Sequence, residues 1–228
     1  LNGIKSNTFA EKAVEYFLSL KKPVNLPQGV EFLNPYENKS VRKVVKEFYR
    51  KFYNDNNKRV FIFGINPGRF GGGLTGISFT DPVALRLFCG IENRLGNRRE
   101  LSSDFIYKVV EQFGGAGKFF RKYFLTALYP LAIIKDGKNH NYYDSKELYE
   151  IMKPLLIDSV REQIKFGAEK SFAVSLGKKN AKYLEEINTE LNYFCEIKVV
   201  EHPRFIMQYR RKRLHEFISK YLETIKFP

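Results

Sequence analysis

Residues 61–79 read FIFGINPGRFGGGLTGISF. The left half continues a run begun at Arg59, RVFIFGI, with no polar side chain from Val60 to Phe63. Such an unbroken run of β-branched and aromatic residues fits a strand covered on both faces, not one alternating between core and water. It stops at Asn66-Pro67-Gly68, and Gly71, Gly72, Gly73 and Gly76 follow before Phe79. Glycine removes the Cβ that keeps other groups away from the main chain. A strand exit built this way marks a place where something approaches the backbone.

Outward from this strand, helical periodicity alternates with short apolar runs. Upstream, Phe9, Val14, Phe17 and Leu18 recur at helical spacing behind a candidate cap at Ser6 or Asn7. LPQGVEFLNPY (26–36) breaks that pattern, and KSVRKVVKEFYRKFY (39–53) reads as a basic amphipathic helix. Downstream come a short helix opened by Pro82, a helix over SSDFIYKVVEQF ended by Gly114-Gly115, and a strand YFLTALYPL interrupted at Pro130. A long helix over 144–166, bent near Pro154, leads to the strand SFAVSL, which Gly177 ends. KKNAKYLEEI is a helix, FCEIKVVEH the fourth strand, and QYRRKRLHEFISKYLETI (208–225) the closing helix.

Short apolar strands separated by helices predict a three-layer α/β/α sandwich around a central four-stranded parallel sheet. No linker or repeat divides the chain, so 1–228 is expected to form a single domain, with 1–55 a helical segment packed on it. Ligands in open parallel sheets sit at the carboxyl ends of the strands. That brings INPGRFGGG, ALYPL, SLGKK and EHPRF to one edge.

Composition narrows the function classes. Of 228 residues, 43% are hydrophobic and 28% charged, which excludes a disordered chain and fits a soluble globular protein. No apolar run approaches the roughly 20 residues of a membrane helix. The first residues lack a signal peptide's apolar core, and because Leu1 is not an initiator a trimmed start is expected. Cys89 and Cys195 are the only cysteines, too few for a Cys-only metal centre, and read as two buried thiols in a reducing cytoplasm. No metal and no cofactor are expected, and the chain is read as a monomer. The net charge of +14 favours a polyanionic partner.

Two nucleotide-cofactor motifs fail on the glycine loop and its neighbours. The dinucleotide fingerprint needs a second glycine two residues after Gly64, where Asn66 stands. The phosphate loop needs a Ser or Thr after Gly117-Lys118 and a glycine at 112; Phe119 and Gln112 occupy those places. A backbone that approaches nucleic acid is the other reading, since free amides can meet phosphate oxygens. Arg69, Lys178, Lys179, Arg204, Arg210, Arg211, Lys212 and Arg213 would add charge on the same edge. The ordinary alternative for the RRKR run is a solvated helix turn.

GINPGRFGGGLTGISF resembles the first motif of the uracil-DNA glycosylase superfamily, in its single-strand-selective monofunctional branch: Asn66, Phe70-Gly71, Thr75-Gly76 and Phe79 fall in register. EHPRF (201–205) is similar to the second motif, and the likeness runs in order from about residue 38 to the C-terminus. The resemblance implies hydrolysis of the N-glycosidic bond of uracil, or of a related damaged base such as 5-hydroxymethyluracil, in single- or double-stranded DNA by base flipping. It implies that Asn66 orients the attacking water and that His202 hydrogen-bonds the leaving base; the ordinary alternatives are a turn-stabilising Asn and a turn-capping His. Phe79 would stack on the base, with Gly64, Ile65 and Gly68 around it. Pro67, Arg69, Thr75, Gly76, Gly177, Lys178, Arg204 and Phe205 would meet DNA. Neither His140 nor His215 has a comparable setting.

One position departs from the pattern. Ala127 stands where the family reads the base edge with Asn, and Thr126, Tyr129, Asn139 or Asn141 are the candidate substitutes. Two further readings therefore stay open: a weakly active or inactive nucleic-acid-binding scaffold, and a glycosylase for xanthine or hypoxanthine.

Overall fold

The computed structural model describes residues 7–226. Helix α1 (Phe9–Ser19) is capped by Thr8, whose hydroxyl accepts from the Glu11 N–H while the Glu11 carboxylate accepts from the Thr8 N–H. The cap lies one residue past Asn7, and Ser6 is outside the described residues. Strand β1 (Val30–Leu33), helix α2 (Lys39–Tyr53) and strand β2 (Val60–Gly64) follow. Four helices come next: α3 (Gly72–Thr75), α4 (Pro82–Leu87), α5 (Leu101–Gln112) and α6 (Ala116–Lys122). Then come β3 (Tyr123–Ala127), β4 (Ala132–Lys135), β5 (Lys138–His140), α7 (Lys146–Ile164) and β6 (Ala173–Leu176). Helix α8 (Lys178–Leu191), β7 (Ile197–Val200), α9 (Pro203–Tyr209) and α10 (Leu214–Ile225) complete the chain.

The central sheet is parallel, in the order β3-β2-β6-β7. Every residue of β2, β3 and β6 is buried. Because successive side chains point to opposite faces, helices must cover both, which explains the unbroken apolar run in β2. Phe61, Phe124 and Phe9 join the rings of Tyr53 and Phe166 in one aromatic core. The strand order reverses at β2, with β3 on one side and β6 on the other, so a crevice opens above Gly64. None of the described helices is long and apolar enough to cross a membrane.

The structure differs from the sequence reading in three places. LPQGVEFLNPY is not only a break: it carries β1, which joins β4 and β5 in a second, antiparallel sheet. The β4–β5 turn is Asp136-Gly137, both at positive φ (49° and 69°), as a two-residue hairpin requires. The closing helix, expected from 208, begins at Leu214 after a 3-10 turn, and residues 208 and 209 belong instead to helix α9, which starts right after His202. Finally, both cysteines are free, but Cys195 is exposed while Cys89 is buried.

Candidate active site

A cavity of about 830 Å³ opens at the carboxyl end of β2. Its walls are the loop from Ile65 to Phe70, Phe79, Glu100, Ala127, strand β5 of the second sheet with Asn141 after it, and the start of α9. Phe79 sits at φ 55°, a left-handed conformation that costs a non-glycine residue about 1–3 kcal/mol. The turn thereby lays its ring directly on Gly64: a Cβ there would lie 2.7 Å from Phe79 Cε2. Glycine at the end of β2 is thus the floor under Phe79. The ring's centroid is 6.3 Å from that of His202.

Asn66 follows β2, and its Nδ2 donates to the His140 carbonyl at 3.0 Å. A carbonyl can only accept, so the amide orientation is set and Oδ1 is turned away from His140. That oxygen is buried and meets no donor among the described residues. An unpaired buried acceptor costs about 1–3 kcal/mol.

His202 caps α9: its Nδ1 accepts from the Arg204 N–H at 3.2 Å. An accepting Nδ1 leaves the proton of a neutral imidazole on Nε2. Burial, and secondarily the Arg204 charge, push the ring's pKa down to about 4. The capping role and a donor role are therefore one arrangement, because the cap sets the tautomer. At neutral pH the cavity holds an uncharged Nε2–H donor.

Glu100 is the residue that sequence reasoning passed over. Its carboxyl rests on the glycine loop, where a Cβ at residue 68 or 71 would collide with it. Burial, then the Asp81 carboxylate, push its pKa up to about 7, with Arg204 opposing. The RREL context at 98–101 carries no signal of this, since the contact depends on two glycines some thirty residues upstream.

Ile65, Asn66, Pro67, Gly68, Arg69, Phe79, Ala127, His202, Arg204 and Phe205 all line the cavity. Thr75 and Gly76, expected to meet DNA, do not line it. Thr75 is buried with its hydroxyl on the Thr80 carbonyl at 2.6 Å, and Gly76 is packed against Tyr36, whose hydroxyl donates to its carbonyl. They shape the loop from inside. Gly177 and Lys178 lie outside the cavity lining, although Gly177 backs onto His202. Phe205 is 40% exposed, its ring tilted against that of Tyr209 and lying under Arg210, whereas Met207 is core.

Of the substitutes for the absent Asn, Thr126 is buried and donates to Gln163. Tyr129 packs on Phe32, and Asn141 is bonded to Asp144 through both its main-chain N–H and Nδ2. Asn139 remains: its Oδ1 accepts from the Arg69 N–H at 3.1 Å, and its Nδ2 lies beside Gly68. His140, read from sequence as having no site setting, supplies the carbonyl that orients Asn66. Among the described residues no cluster of three or more His, Cys, Asp or Glu could hold a metal ion.

The profile of the Uracil DNA glycosylase superfamily matches residues 50–226, the span that carries β2, Asn66 and His202. The chain belongs to the uracil-DNA glycosylase superfamily. Among solved structures, it is similar to the crystal structure of wild-type Pedobacter heparinus SMUG2, at 39% identity and a TM-score of 0.90. That likeness covers 95% of this chain and 96% of the other. A comparison with curated proteins gave no match. As a member of a DNA glycosylase family, the chain has DNA as its implied substrate, and the parallel sheet and strand-end cavity are the glycosylase fold.

Proposed function

We propose that this glycosylase hydrolyses the N-glycosidic bond of uracil, or of a related oxidised pyrimidine such as 5-hydroxymethyluracil, in DNA. The observation that carries the reading is the pair Asn66 and His202: a buried amide oxygen without a donor, and a neutral imidazole whose tautomer is set. The base is extruded from the stack and lies on Phe79. A water donates to Asn66 Oδ1 and attacks the anomeric carbon. As the C–N bond breaks, its electron pair passes to the base, and His202 Nε2–H meets the oxygen on which negative charge collects. One such donor is typically worth about 2.7–4 kcal/mol of barrier. Asn66 orients the water but cannot take its proton, because an amide is no base in this pH range; as the C–O bond forms, that proton passes to the departing base anion, which leaves neutral. A modest rate follows.

Asn139 Nδ2 offers a donor to a base carbonyl from the second sheet, in place of the amide that Ala127 lacks. Ala127 itself favours a relaxed choice of base, which keeps xanthine and hypoxanthine as the second reading. The monofunctional character rests on the lysines: Lys138 is the one that lines the cavity among the described residues, and it is exposed, not desolvated as an amine nucleophile needs to be.

The test uses single- and double-stranded oligonucleotides carrying uracil, 5-hydroxymethyluracil, hypoxanthine or xanthine, with strand scission read before and after alkali. Release of the pyrimidines, scission only after alkali, and a drop of about tenfold or more in Asn66→Ala and His202→Ala are expected. Scission without alkali, with trapping of a borohydride-reduced adduct, overturns the monofunctional assignment. Release of none of the bases, alongside salt-sensitive binding, supports an inactive DNA-binding scaffold instead.

A further inference from the structure

The positive charge of the surface is balanced in some places and not in others. On α7 and α10 cations meet carboxylates: Lys153 pairs with Glu186, Arg161 with Asp158 and Glu190, Lys165 with Glu162, and Lys220 with Glu201. On α2 and α6 they do not. Lys43, Lys46 and Arg50 recur at helical spacing along one exposed face of α2, and Lys118, Arg121 and Lys122 are exposed on α6. None of these six forms an ion pair among the described residues. The two helices present one surface, since Phe48 and Phe52 of α2 pack their rings on Phe120 of α6. Local helix energetics oppose the arrangement. Like charges one turn apart repel, and Lys39 opens a first turn that holds no carboxylate, at the positive end of the helix dipole. Such a face is relieved when a polyanion neutralises it.

The patch does not belong to the cavity. Helix α2 starts beneath the glycine loop, where Val41 and Val45 pack on Gly76, and ends with the Tyr53 hydroxyl on the Tyr123 carbonyl. Tyr123 begins β3, and Ala127 at the other end of that strand lines the cavity, whereas none of the six cations does. The charged face therefore runs down the side of the sandwich toward the amino ends of the strands. We infer that this face of α2 and α6 is a second DNA-binding surface, which holds the backbone of a separate DNA segment while the cavity is occupied. From Lys39 to Arg50 the helix covers about 16 Å, roughly five phosphates of one strand. A short duplex seated at the cavity is too stiff to bend round to it, the persistence length of DNA being about 150 base pairs. A lipid surface matches less well. The apolar residues Val41, Val44, Val45, Phe48 and Tyr49 of α2 are buried in the core, so no apolar stripe is left to enter a bilayer. Two surfaces on one chain let it pass between DNA segments without leaving the first. The inference concerns backbone contacts alone and does not depend on which base is released.

The test counts lesion-free duplexes of about 12 base pairs bound per chain, by anisotropy titration at about 50 mM salt. The wild-type protein binds two. Lys43→Gln, Lys46→Gln and Arg50→Gln together raise the weaker Kd by at least about tenfold, so that one duplex remains. Lys118→Gln, Arg121→Gln and Lys122→Gln together do the same, so the result does not hang on the folding of a single variant. A control with equal loss of charge, Lys153→Gln, Lys165→Gln and Lys220→Gln, still binds two. In the wild-type protein the rate at which labelled duplex leaves rises with the concentration of unlabelled competitor, and in the α2 variant it stays flat. One duplex per wild-type chain overturns the inference. So does a second duplex that both patch variants retain, or one that the control loses equally, which marks the effect as general charge. Capture of phosphatidylserine vesicles by wild type but not by the α2 variant, with a single duplex bound to each, assigns the patch to lipid headgroups and overturns it as well. The count needs no catalysis, so failure of the proposed reaction leaves this inference standing, and a count of one leaves that reaction untouched.

Discussion

His202 shows how one residue can serve the backbone and the chemistry together. Its Nδ1 closes the first turn of α9, and that hydrogen bond makes Nε2 the donor. Protonation would put a hydrogen on Nδ1, which now accepts, and break the cap. Since the folded pKa is near 4 and lies below the ordinary value of 6.5, the unfolded chain binds more protons between those limits. Stability from this residue is therefore present above pH 6.5 and lost as pH falls toward 4. On acidification across this range the denaturant midpoint of wild type should fall relative to that of His202→Asn, which can cap but does not titrate. A constant difference would mean that the imidazole is not held neutral. Activity should likewise persist to pH 5 instead of halving near 6.5. From sequence, EHPRF pointed to His202, but the ring's charge state depends on burial that no local pattern encodes.

At the scale of elements, Arg59 joins β2 to the N-terminal helices. It is wholly buried, its guanidinium between the rings of Phe9 and Tyr53 at 4.7 and 4.8 Å. Nε donates to the Phe120 carbonyl, Nη1 and Nη2 to the Asp55 carboxylate, and Nη1 also to the Asn57 carbonyl. Cutting Arg59 to Ala leaves the Asp55 carboxylate without its partner and a cavity between two aromatic rings. The expected loss is about 3–5 kcal/mol, read as a fall in urea midpoint with an unchanged slope. A loss below about 1 kcal/mol would show that the cluster carries no net stability. The same scale exposes the weakest point of sequence reasoning. LAIIKDGKNHN contains Asp136-Gly137 between two strand-forming runs, a hairpin signal in its own right. Reading YFLTALYPL as one strand broken at Pro130 hid it, and with it the sheet that brings Asn139 and His140 to the cavity.

For the whole molecule, the net charge of +14 predicts how DNA is held. Each phosphate neutralised by Lys or Arg contributes roughly −0.9 to the slope of log affinity against log salt. Arg204 and Arg210, both on exposed positions around α9, should each remove about one from that slope when changed to Ala, with little dependence on DNA sequence. Anisotropy titrations between 50 and 200 mM salt measure it, as a range over which such binding is known to weaken steeply. Binding indifferent to salt would remove the electrostatic account. What the sequence by itself determined was the parallel sheet, its helices, and the strand ends bearing Asn66 and His202. Those follow from local rules, in which apolar runs make covered strands and Asn-Pro-Gly ends one. Only the tertiary structure decided that Phe79 lies on Gly64, that Asn66 is oriented by a carbonyl 74 residues away, and that Glu100 fills the space above Gly68 and Gly71. Each of these is a contact between segments distant in sequence, set by the strand order around β2 and by a second sheet, and periodicity within one segment carries no record of what packs against it.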